Sequence, residues 1–111
     1  TATFNCNGAI RVEEKAQKTN AYQRNENLLL SENTHAKSNP SLEILANDVR
    51  CTHGATISSV STDALWYMAT RGIGERVGTR LIAQGFLLSP LERLVDQDVK
   101  RKLEQFVLRA L

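Results

Sequence analysis

Apolar and polar positions alternate along the first half of the chain and recur every three or four residues along the second, with the change of period at Ser61. In the run TFNC, Phe4 and Cys6 share one side of an extended segment, and in AIRV so do Ile10 and Val12. Gly8, between the two runs, reads as a turn. Leu28 to Leu30 and Leu42 to Ala46 are further short apolar runs. The stretch from Ser31 to Pro40 separates them and is rich in Ser, Asn and Pro, which predicts a loop.

From Ser61 the spacing is helical. Ser61 is placed to cap a first helix, Asp63 falls in its first turn, Leu65, Met68 and Ala69 line one face, and Gly72 ends it. A second helix is predicted over Glu75 to Gln84, with Val77 and Leu81 four apart and Gly85 at its exit. Ser89-Pro90-Leu91-Glu92 has the form of a capping box with proline at the first helical position, so a third start is predicted at Ser89. Leu91, Leu94 and Val95 form one stripe there, and Val99, Leu103, Phe106, Val107 and Ala110 another, with a break near Asp96 to Asp98. The fold class is therefore mixed β and α, with strands over residues 1–60 and a small helical domain over 61–111. Short strands between turns suit a sandwich, a barrel or a parallel β-helix, and periodicity does not choose among them.

Composition narrows the function classes. A chain of 111 residues buries only about two-thirds of its unfolded surface, so its core should be thin. A net charge of +2 with mixed signs gives no sustained positive field, and so no case for nucleic acid or an anionic membrane as partner. No apolar run approaches the roughly 18–20 residues that span a bilayer, and the opening TATFNCNGAI lacks the layout of a signal peptide. A cytosolic chain is expected. In a reducing compartment Cys6 and Cys51 are expected as free thiols rather than a disulfide.

The candidate chemistry lies in Leu42 to Thr56, LEILANDVRCTHGAT. On an extended backbone Val49, Cys51 and His53 share one side, which sets a thiol and an imidazole about 6–7 Å apart at their backbone origins. Both groups suit iron or zinc. A closed zinc site needs four ligands, however, and no second pair stands at matching spacing, so the competing reading is a strand whose inner face buries all three. His35, in the polar stretch, is given no role, and the pairs Glu13/Glu14 and Asp96/Asp98 read as solvated charges. There is no phosphate-binding Gly-x-x-x-x-Gly-Lys-Ser/Thr loop; Gly72-Ile73-Gly74 reads as a break between helices. No Gly-x-Ser-x-Gly elbow exposes a nucleophilic serine. Trp66, Tyr67, Phe86 and Phe106 are most simply core residues, with partner anchoring as the other reading.

Residues Ala16 to Thr56, with the later ALWYMATRGIGERVGTRLIAQGF (Ala64 to Phe86), resemble the C-terminal part of the SufB/SufD family of iron–sulfur cluster assembly scaffolds, on its SufD side. The resemblance implies the end of a right-handed parallel β-helix followed by a small C-terminal helical domain. It implies a larger full-length molecule, a non-catalytic role in a SufBCD complex, a SufB-like paralogue as partner, and a SufC-type ABC ATPase docked around Arg71, Leu81, Gly85 and Phe86. The motif Cys51-Thr52-His53-Gly54-Ala55-Thr56 lies, in such relatives, where the two paralogues meet, so His53, and Cys51 after it, become candidate ligands of iron or a nascent cluster. No tightly bound cofactor is expected, only a transient iron–sulfur cluster. The compartment is the cytoplasm, or the plastid stroma for a plastid-bearing source. A strand stack open at Thr1 leaves unpaired backbone groups, which predicts a homodimer or another cover for that end. The rival within the family, a SufB-like role, requires a glutamate where this chain has Gly54. A polysaccharide-active β-helix enzyme would need carboxylates clustered on one outward strand face, which the sequence does not display.

Overall fold

Alternation that begins at Ala2 runs through Gly8 without a break, and the computed structural model, which describes residues 2–111, has a single strand β1 at Ala2–Val12. The expected turn at Gly8 is therefore corrected. Strand β2 spans Asn20–Leu29, β3 spans Thr34–Ile44 and β4 spans Arg50–Ser59. β3 occupies most of the stretch expected to be a loop. Its pairing with β1 explains why: the two run parallel in unbroken register from Ala2 opposite Thr34 to Val12 opposite Ile44, with Gly8 facing Pro40. Among the described residues β3 has a strand on one side only, and a proline lacking its N–H is tolerated on such an edge.

β2 pairs with β4 in a second sheet. The Arg50 N–H donates to the Thr19 carbonyl at the start of both strands, and near their ends the Asn27 side chain donates to the Thr56 carbonyl, so the two run in the same direction. The corners stack as well: Leu45 N–H donates to Val12 O, and Asp48 N–H to the side-chain oxygen of Gln17. Strand, corner and strand are thus repeated, each piece beside its counterpart. Val12 and Ala46 are the buried apolar residues of this unit, so its core is as thin as its size requires.

The chain divides into two compact units between Ser58 and Ser59. In the second, α1 (Thr62–Thr70) starts as expected, with Ser61 Oγ accepting from Ala64 N–H at 3.2 Å. It ends where Gly72 takes a φ of +80°, while Ile73 N–H reaches Met68 O and Gly72 N–H reaches Ala69 O, a Schellman closure. α2 runs Glu75–Leu88, past the end expected at Gln84. Gly85 has open space around it and weakens the helix without stopping it. Pro90, with no N–H to continue the ladder, does stop it, and residues Ser89–Arg93 tighten into a 3-10 turn. Ser89 is helical there (φ −52°, ψ −46°), so it cannot cap, and the expected capping box does not form. The cap of α3 (Gln97–Ala110) is Asp96, whose Oδ1 accepts from Asp98 and Val99 N–H at 2.9 and 3.1 Å.

Helices α1 and α2 meet at Gly78, which is buried against Leu65 and Met68. Trp66 and Tyr67 follow Leu65 directly, and at 100° per residue they fall on the other side of α1; they are 71% and 56% exposed. Phe106 on α3 is 70% exposed, and of the four aromatics expected in the core only Phe86 is half-buried. No described helix is long and apolar enough to cross a membrane.

Candidate functional site

β4 carries the thiol and imidazole singled out above. The strand starts at Arg50, so Val49 lies outside it, and Cys51 and His53 remain two apart on one side of the extended chain. Their environments differ. Cys51 is half-buried and free, whereas His53 is exposed, and neither side chain hydrogen-bonds another described residue. Among the described residues no three His, Cys, Asp or Glu side chains gather to hold a metal ion. Among the described residues Cys51 and His53 are the two candidate donors at this strand, and a cluster bound there would need further ligands from elsewhere.

Strand β4 has β2 on one side and no described strand on the other. Gly54 follows His53, and a Cβ built on it would lie 3.2 Å from the Tyr22 hydroxyl of β2. That contact joins residues far apart in sequence, and nothing in the local pattern points to it. The second cysteine, Cys6 of β1, sits apart from Cys51: the Asn25 side-chain amide donates to its Sγ at 2.8 Å, and Asn27 in turn donates to Asn25 Oδ1 at 2.6 Å. Polar groups of β2 thus line the inner face toward Cys6. Next to them Gln23 Oε1 is buried with no hydrogen-bond partner.

The other marked residues are dispersed. His35 lies exposed in β3 rather than in a loop. Glu13 pairs with Arg11 at 2.8 Å, Asp96 caps α3, and Asp98 pairs with Arg101 at 2.9 Å, so these carboxylates have structural or surface partners. In the helical unit Arg71 lies over the Tyr67 ring, 5.4 Å from its centroid, and donates to the Tyr67 hydroxyl at 3.1 Å. Leu81 and Gly85, one turn apart on α2, are exposed, and Phe86 is half-buried. Val77, also exposed and one turn before Leu81, extends that row. An open groove of about 290 Å³ lies between α1 and the start of α2, lined by Thr62, Leu65, Trp66, Ala69 and Glu75.

Comparison with known proteins gives these features a family. Residues 1–86 match the family described as SUF system FeS cluster assembly, SufBD core domain. The chain is 34% identical over 97 residues to the iron–sulfur cluster assembly protein SufD of Escherichia coli, covering 87% of this chain and 23% of that protein. It is 35% identical over 103 residues to SufD of Bacillus subtilis, covering 93% and 24%. It is 34% identical over 100 residues to protein ABCI7, chloroplastic, of Arabidopsis thaliana, covering 90% and 21%. The chain thus spans under a quarter of the length of these curated relatives. With the matched region taking in all four strands and most of α2, the chain belongs to the SufBD core domain family of the SUF iron–sulfur cluster assembly system.

Proposed function

We propose that this chain is part of a SufD-type scaffold on which an iron–sulfur cluster is assembled, with His53 presented toward the forming cluster. The observation that carries the reading is an exposed imidazole on the open edge strand of a SufBD core domain. A neutral imidazole can ligate iron or pass a proton near neutral pH, and both acts belong where iron and sulfide are combined. Cys51, half-buried beside it, is the second candidate donor. With no third donor at the strand, the remaining ligands come from a partner, and a SufB-like paralogue meeting β4 is the partner that fits the family.

The strand unit is read as the last rungs of a right-handed parallel β-helix. Support comes from β1 lying beside β3, β2 beside β4, and the stacked corners at Val12/Leu45 and Gln17/Asp48. The helical unit is read as the docking surface for a SufC-type ABC ATPase around Arg71, Leu81, Gly85 and Phe86, of which the first three are exposed and Phe86 is half-buried. In this account the chain positions and receives; the ATPase supplies the chemistry of nucleotide hydrolysis. The proposed compartment is the cytoplasm, or the plastid stroma for a plastid-bearing source, and a relative named as chloroplastic supports the second alternative.

The test is co-purification of the full-length protein with its genomic SufB-like and SufC-like partners, as wild type and as the double variant Arg71→Glu, Leu81→Asp. The proposal expects a three-component complex from the wild type and selective loss of the ATPase from the variant. Retention of the ATPase by a folded double variant would remove α2 and the end of α1 as its docking surface.

A further inference from the structure

We draw no further inference here: the strongest candidate, the exposed apolar face of α3 formed by Val99, Leu103 and Phe106, carries nothing because it lies in the helical unit already proposed to dock the ATPase and nothing in the structure shows what else covers it.

Discussion

The hydroxyl of Tyr22 on β2 stands over Gly54 on β4, 3.2 Å from where a side chain there would begin. Gly54 is half-buried, while His53 and Ala55 on either side are exposed. Tyr22 is itself 59% exposed and free to swing toward solvent. Gly54→Ala should therefore change stability by no more than about 0.5 kcal/mol, as for an ordinary surface position. Urea unfolding of the variant, alone and combined with Tyr22→Phe, measures this; a larger loss relieved by Tyr22→Phe would show that the ring is locked in place.

Two glycines of α2 should respond in opposite directions. Gly78 is buried, and a Cβ on it would meet Leu65 Cδ2 at 3.0 Å and Met68 Sδ at 3.2 Å. Gly78→Val adds branches to a contact already tight and should cost about 1–3 kcal/mol by overpacking. Gly85 has nothing within 4 Å, so Gly85→Ala should gain up to about 1 kcal/mol from helix propensity. Thermal melts of both variants test the helix packing, and the same sign for the two would contradict it.

The helix caps make a second contrasted set. Asp96→Ala removes an oxygen that accepts from two backbone N–H groups, and Ser61→Ala one that accepts from Ala64; each should cost about 1 kcal/mol. Ser89→Ala should cost almost nothing, because Ser89 makes no side-chain cap. Chemical denaturation of the three single variants would expose a working capping box if Ser89→Ala proved as harmful as Asp96→Ala.

Inside the strand unit, Gly8 leaves the space that the Gln23 side chain fills, and a Cβ at position 8 would overlap the Gln23 amide nitrogen. Gly8→Ala should destabilise, and Gln23→Ala should relieve part of the loss. A double-mutant cycle should give a coupling above about 0.5 kcal/mol, whereas additive effects would mean that the two residues do not share this space.

These contacts also show where local sequence stops being informative. The helix start at Ser61, its end at Gly72 and the break near Asp96 were legible because a cap or a left-handed residue acts within a few positions, whereas the start expected at Ser89 was misplaced and the cap at Asp96 was not foreseen. The strands around Gly8 and Pro40 were not. Glycine and proline are turn formers by local rule, yet here they face one another across a parallel pair whose register spans the whole of both strands. Gly8 is held in the parallel register with β3, and Gln23 packs over it, both of them tertiary relationships. Likewise the exposure of Trp66, Tyr67 and Phe106 follows from which face of each helix meets its neighbour, which apolar composition does not reveal. The strand-to-helix switch was legible in outline, since the period of apolar residues changes at Ser61. The exposure of His53 beside a half-buried Cys51 became visible only in the structure.

The central claim concerns an imidazole open to a partner, and its most direct test is His53→Ala in the full-length protein, reconstituted with its SufB-like and SufC-like partners, iron and a sulfide source. Because His53 is exposed and makes no hydrogen bond within the described chain, the variant should melt as the wild type does and still join the complex. Cluster formation, followed by visible absorbance and bound iron, should fall severalfold or more. A folded, fully assembled His53→Ala complex that builds clusters at the wild-type yield would contradict the account.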